Sequence, residues 1–129
     1  MDKNSLELLV PINLCIIGYG FVGQAVANGF NIASGGKDTI RYYDKYKETE
    51  SLEQVIENSE FIFICLPTPM KVDESGIDLG IIEEMMPEIA KFTDQTDKVI
   101  IIKSTVTPGT TASFEKKFPK SQFAFNPEF

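Results

Sequence analysis

Histidine is absent from this 129-residue chain, and so is tryptophan. The lack of histidine removes the side chain that most often serves as a general base or metal ligand near neutral pH. Any chemistry here must run on other groups, and no metal site is expected. Positive charge is scarce: 12 Lys and Arg stand against 19 Asp and Glu, a formal net charge of −7. Nucleic acids and anionic membranes select clustered Lys and Arg, so neither is expected as a partner. The pair Lys116–Lys117 is too small to change that. No apolar run approaches the roughly 20 residues that span a bilayer. The N-terminus (MDKNSLELLV) sets Asp2 and Glu7 among its leucines, unlike a secretory signal. These absences point to a cytoplasmic protein. Cysteine is limited to Cys15 and Cys65, each inside an apolar run (LCII and FIFICL). Core packing is the expected role of both, with a redox or catalytic role as the lesser alternative.

What remains is the composition of an ordinary folded domain, 43% hydrophobic and 24% charged, with length for a single core. Residues 12–17 (INLCII) form a continuous apolar run, as expected for a strand buried on both faces of a parallel sheet. GYGFVG follows, then a helical stretch (QAVANGF) expected to stop near Gly29, and a loop over NIASGGKD. Thr39–Tyr43 (TIRYY) has the β-branched and aromatic bias of a second strand. Ser51 and Gln54 fit a capping box opening a short helix. FIFICL within Glu60–Leu66 is a third strand, KVIIIK a fourth and QFAF a fifth. Asp78 is the expected N-cap of IIEEMMPEIAKF, in which Pro87 is expected to kink or divide the helix. TTASFEKKF makes a last short helix. Alternating strands and helices predict one α/β domain over 1–129: a Rossmann-type doubly wound parallel sheet of about five strands, in the order 2-1-3-4-5.

Gly18-Tyr19-Gly20-Phe21-Val22-Gly23 carries the first functional signal. A bare G-x-G-x-x-G is weak, but this one leaves an apolar strand and opens a helix. Gly18 permits the tight turn, Gly20 lets backbone approach a pyrophosphate, and Gly23 lets the helix pack closely on the strand. The helix N-terminus then offers N–H groups and partial positive charge to the phosphates. A ligand-free glycine-rich turn is the bland alternative. Asp44 stands 21 residues beyond Gly23, at the end of the second strand. A carboxylate there accepts the adenosine ribose hydroxyls and repels a 2′-phosphate, which favours NAD over NADP. Lys45 and Lys47 are basic neighbours that argue the other way, and the bland alternative for Asp44 is the start of a turn; position favours the acid.

Three further segments lie at the carboxyl ends of strands, where such folds bind ligands: Leu66-Pro67-Thr68-Pro69, the run from Lys103 to Thr111 (KSTVTPGTT), and Asn126-Pro127-Glu128-Phe129. Thr68 and Thr105 offer hydroxyls near a bound cofactor, and Glu128 a carboxylate on the substrate side. Prolines stiffen these loops. Singly, each segment also reads as a rigid turn. Together, in this order, they resemble the UDP-glucose/GDP-mannose dehydrogenase family across essentially the whole chain.

The resemblance implies that the glycine loop, Tyr19, Phe21 and Val22 included, holds the pyrophosphate of NAD, and that Asp44 holds its adenosine ribose. It implies that Thr68 and Thr105 line the nicotinamide half and that Glu128 begins the substrate segment. Thr105 and Glu128 are the candidates for a catalytic part. Members of the family oxidise the C6 alcohol of a nucleotide sugar to a carboxylate with two NAD per turnover. Their catalytic lysine, asparagine and cysteine, and their central dimerising helix, come after the NPEF segment. The chain is therefore expected to bind NAD(H) without turnover, to meet a UDP-sugar only with a carboxyl-terminal half supplied, and to be open to homo-oligomer formation through exposed apolar surface. Two other readings compete: a non-catalytic NAD-binding module paired with a separate chain, and a hydroxyacid or 6-phosphogluconate type of dehydrogenase, which the KSTVTPGTT and NPEF segments disfavour.

Overall fold

A computed structural model describes residues 10–125. Five strands, β1 (Asn13–Ile17), β2 (Thr39–Tyr43), β3 (Phe61–Ile64), β4 (Val99–Ile102) and β5 (Gln122–Phe125), form one sheet in the order β2-β1-β3-β4-β5. Every pairing is parallel, in a register that sets Ile17 beside Tyr43 and Ile64, and Ile64 beside Ile102. The expected strand order and fold class are observed. All strands therefore end on the same edge, and the loops that follow them share one rim.

Side chains alternate across the strands, so each strand feeds two cores. Cys15, Ile17, Ile62, Ile64, Ile100 and Ile102 face one side. There they meet Val55 and Ile56 of α2 (Leu52–Glu57), Ile82, Met86 and Ile89 of α3 (Gly80–Thr93), and Phe114 of α4 (Thr110–Lys117). Leu14, Ile16 and Phe63 face the other side, against Ala27 of α1 (Phe21–Ser34). Phe30 of α1 meets Phe63 edge-on at a centroid distance of 5.3 Å.

Three local expectations need correction. Helix α1 does not stop near Gly29 but runs through NIAS to Ser34. A side chain at Gly29 would meet nothing, so this glycine is merely tolerated, while Gly35 at φ +65° is the true stop. There the N–H groups of Gly35 and Gly36 close on the carbonyls of Ile32 and Asn31, a paired bond that needs a left-handed residue. Helix α3 is capped by Leu79 in place of Asp78, although the Asp78 carboxylate still accepts the Gly80 N–H at 2.8 Å. Pro87 sits inside α3 without dividing it. Both Pro87 and Glu83, whose carbonyl loses its usual partner, lie exposed, so water can serve that carbonyl. The capping box at Ser51 is present, with Gln54 N–H on the Ser51 hydroxyl at 3.2 Å.

Burial pushes the Cys15 thiol up to about 12 from 9.0, although Ser59 and Lys98 pull in the opposite direction. The folded state thus favours the neutral thiol. Its contribution to stability is complete below pH 9 and declines above it, because only the unfolded chain releases the proton there. The decline is about 1.4 kcal/mol per pH unit until the folded thiol itself ionises. Urea melts between pH 8 and 10.5 are expected to show that extra slope in the wild type and not in Cys15→Ala. Ser51→Ala is expected to cost about 1 kcal/mol in the same assay, and Ile100→Ala about 2–5 kcal/mol through the cavity it leaves.

Candidate functional site

The sheet's carboxyl rim carries a cavity of about 290 Å³ lined by Gly18, Gly20, Phe21, Val22, Asp44, Thr68 and Thr105, with Cys65–Pro67, Lys103 and Ser104 completing the wall. Four chain segments meet here, from the ends of β1, β2, β3 and β4. Parallel pairing brings them together although they are up to 87 residues apart, from Gly18 to Thr105.

The glycine loop sits so low on the sheet that two positions exclude any side chain. A Cβ on Gly18, at φ +94°, would lie 2.7 Å from the Cys65 carbonyl oxygen and 3.0 Å from the Leu66 nitrogen. A Cβ on Gly23 would run into the Gly18 carbonyl oxygen and approach Ile16 Cγ2 at 3.0 Å. The turn is therefore pressed both onto the end of β3 and under the first turn of α1. Gly20 differs, since a Cβ there would enter open space. With Phe21 and Val22 it brings the α1 N-terminus to the cavity, where unpaired N–H groups and the helix dipole favour an anion.

Asp44 closes this arrangement. Its Oδ2 accepts the Tyr19 N–H at 2.8 Å and its Oδ1 accepts the Tyr46 N–H at 2.9 Å. The Gly18 N–H meanwhile reaches the Tyr43 carbonyl at 2.8 Å. The acid at the end of β2 thus fixes the glycine loop while lining the cavity. Lys47, a possible phosphate ligand by sequence, instead donates to the Tyr19 carbonyl oxygen at 2.7 Å. Lys45 lies 6.0 Å from the centre of the Tyr46 ring.

Thr68 and Thr105 stand where sequence placed them, at the rim beyond β3 and β4. Tyr19 is just outside the cavity wall, stacked on Tyr42 at 4.1 Å. Glu128 lies outside the described residues. Sequence reasoning included Lys103 and Ser104 in the KSTVTPGTT segment but gave them no role; both directly follow β4. Ser104 is buried, and its hydroxyl donates to the Leu66 carbonyl at 2.7 Å, joining the loops after β3 and β4. Lys103 brings a cation to the cavity. The signal for both was their place at a strand's carboxyl end, which their neighbour Thr105 shared. Cys65 is buried behind the glycine loop and Cys15 deeper in the core, as expected of packing residues.

Among known proteins, the model of the UDP-glucose/GDP-mannose dehydrogenase family, NAD binding domain, matches residues 38–129, or over two thirds of the chain. That match includes Asp44, Thr68 and Thr105 and begins after the glycine loop, so the loop is supported by its geometry. The chain is 29% identical to a UDP-glucose 6-dehydrogenase of Campylobacter jejuni, over 70% of this chain and 22% of that protein. It is 26% identical to a UDP-N-acetyl-D-mannosamine dehydrogenase of Methanocaldococcus jannaschii, over 84% of this chain and 32% of that protein. The chain thus spans about a fifth to a third of the length of these relatives. In fold it resembles a GDP-mannose dehydrogenase of Pseudomonas aeruginosa, with a TM-score of 0.68 and 24% identity, over 92% of this chain and 36% of that one.

Substitution separates the two kinds of glycine. Gly23→Ala forces the α1 backbone off the loop and is expected to cost at least about 2 kcal/mol in urea unfolding. Gly20→Ala is expected to stay within about 1 kcal/mol of wild-type stability. It should nevertheless weaken dinucleotide binding by about tenfold or more in calorimetric titration, because its methyl occupies the space of the ligand.

Proposed function

The chain belongs to the UDP-glucose/GDP-mannose dehydrogenase family and carries its NAD-binding domain, and from that premise we propose that it is the cofactor half of an NAD-dependent dehydrogenase of the UDP-glucose 6-dehydrogenase type. The reaction is oxidation of the sugar C6 alcohol to a carboxylate. Bound NAD supplies the hydride-accepting nicotinamide; the residues of this chain bind and orient it.

In this reading, N–H groups at the α1 N-terminus receive the pyrophosphate beside Gly20, which lines the cavity and where a Cβ would meet open space. Asp44 receives the adenosine ribose. A neighbouring cavity of about 210 Å³, with Leu66, Ile81 and Met85 in its wall and Asp44, Lys45, Tyr46 and Glu84 around them, suits a flat heteroaromatic base, and we assign it the adenine. Thr68 and Thr105 then flank the nicotinamide end, and Lys103 adds a positive charge beside the anion. Glu128 is retained as a substrate-side carboxylate. The observation that carries the proposal is Asp44: it lines both cavities and is tied to the glycine loop through the Tyr19 N–H. A carboxylate offers about four acceptor sites, so two backbone bonds leave capacity for ribose hydroxyls.

A UDP-N-acetyl-D-mannosamine substrate is the second reading, favoured by the relative that aligns over 84% of this chain. In both readings the nucleotide sugar is met jointly with a carboxyl-terminal half, and the chain by itself binds NAD(H) without turnover. No helix among the described residues is long and apolar enough to cross a membrane, and we place the protein in the cytoplasm.

Titration with NAD and NADP tests the proposal. Wild type is expected to bind NAD at least about tenfold more tightly than NADP, a difference near 1.4 kcal/mol, and Asp44→Ala to narrow that gap. NADP binding as tight as NAD would refute the ribose assignment. Incubation of the isolated chain with NAD and UDP-glucose is expected to leave absorbance at 340 nm unchanged; steady NADH production would overturn the second part.

A further inference from the structure

Lys47 and Gln24 lie beside the glycine loop and have no part in the binding roles above. Both are exposed, and neither lines the dinucleotide cavity. Each nonetheless donates to one atom, the carbonyl oxygen of Tyr19: Lys47 Nζ at 2.7 Å and Gln24 Nε2 at 3.2 Å. The Tyr19 N–H is held by Asp44 Oδ2 at 2.8 Å. The Tyr19 ring is held as well, stacked on Tyr42 with planes 13° apart and with Lys47 Nζ 5.5 Å from its centre. Tyr19 is thus fixed at its N–H, its ring and its carbonyl.

The carbonyl is the consequential one. It shares a peptide plane with the Gly20 N–H, and no described peptide bond is cis. In a planar trans peptide the C=O and the following N–H point in opposite directions. Drawing the Tyr19 carbonyl toward Lys47 and Gln24 turns the Gly20 N–H the other way. Gly20 itself lines the cavity, and its N–H has no acceptor among the described residues. Gly20 has no Cβ to bias its backbone, so these donors restrain the peptide where its own side chain cannot.

We propose that Lys47 and Gln24 are positioning residues that aim the Gly20 N–H at the pyrophosphate of the bound dinucleotide, acting through the Tyr19 carbonyl. This inference rests on the NAD reading and adds to it a device for preorganising the anion site before the ligand arrives. A simple alternative gives Lys47 only its charge, attracting the phosphates from a distance. Gln24 separates the two, since it has a donor on the same oxygen and no charge.

The test titrates wild type, Lys47→Met, Lys47→Arg and Gln24→Leu with NAD and, separately, with adenosine, which lacks the pyrophosphate. Lys47→Met is expected to weaken NAD by about fivefold, one hydrogen bond's worth, and to leave adenosine affinity unchanged. Lys47→Arg restores NAD binding to within about twofold, and Gln24→Leu weakens NAD by about twofold with the same indifference to adenosine. Thermal melts of all four proteins are expected to coincide, because both side chains are exposed. Lys47→Met binding NAD as wild type does, losing adenosine in proportion, or melting early in step with its loss of affinity would each overturn the proposal. So would an unaltered Gln24→Leu beside a weakened Lys47→Met, which would leave charge as the cause. Wild type that binds adenosine but not NAD would overturn the NAD reading itself, and this inference with it.

Discussion

The cavity exists because backbone touches backbone where a side chain would ordinarily intervene. Gly18 rests on the carbonyl of Cys65, and the first turn of α1 at Gly23 rests on the carbonyl of Gly18. Three layers of main chain stack without a methyl group between them. That contact sets the height of α1 above the sheet and the position of its N-terminus beside the loops after β3 and β4. A methyl group at either position would lift the helix and widen the gap that the ligand must bridge. The rest of the site is arranged around this approach.

Hydrogen bonds then fix what close packing brings near. Asp44 holds the Tyr19 N–H, Ser104 holds the Leu66 carbonyl, and the backbone of Lys103 and Ser104 returns to the Ile64 carbonyl. Each bond links segments at the ends of neighbouring strands, and the Cys65 N–H on the Ile17 carbonyl at 2.8 Å joins the two pairs, so the rim is a connected network. An anion site of this kind benefits from rigidity, because donors already in place cost no reorganisation when the ligand binds. Asp44 shows how one carboxylate can both order the loop and line the cavity. Its two oxygens accept two backbone N–H groups and retain capacity for hydroxyls.

The two faces of the sheet are unequally covered. Helices α2, α3 and α4 bury one face with a long apolar cluster, from Val55 to Phe114. Among the described residues the other face has α1 alone, over a smaller cluster built on Leu14, Ile16 and Phe63. The helix that presents its N-terminus to the cavity is therefore held by the lesser core, with Ala27 and Phe30 as its main anchors. This is why the missing side chain at Gly23 matters so much: close backbone contact replaces part of the side-chain packing that the other helices enjoy.

Strand existence, strand order and the glycine loop were legible in the sequence, because buried parallel strands appear as unbroken apolar runs and the loop glycines keep fixed spacing between strand and helix. Ser51 and Gln54 announced their capping box for a similar reason: both partners lie within one turn. Where local signals failed, the deciding contact lay elsewhere. Gly29 looked like a helix end, yet the helix continued to Gly35, where the left-handed turn and its paired bonds occur. Asp44, Thr68 and Thr105 could be nominated from position at strand ends. The Asp44 bond to Tyr19 and the Ser104 tie to Leu66 were not legible, since they join residues 25 and 38 positions apart. Nor did sequence reveal that Lys47 would face the Tyr19 carbonyl across 28 positions. By itself the sequence determined a dinucleotide-type α/β domain, because periodicity and glycine spacing are local properties of the chain. Only the tertiary structure decided which side chains hold the glycine loop in place, because that depends on strands brought side by side from distant parts of the chain.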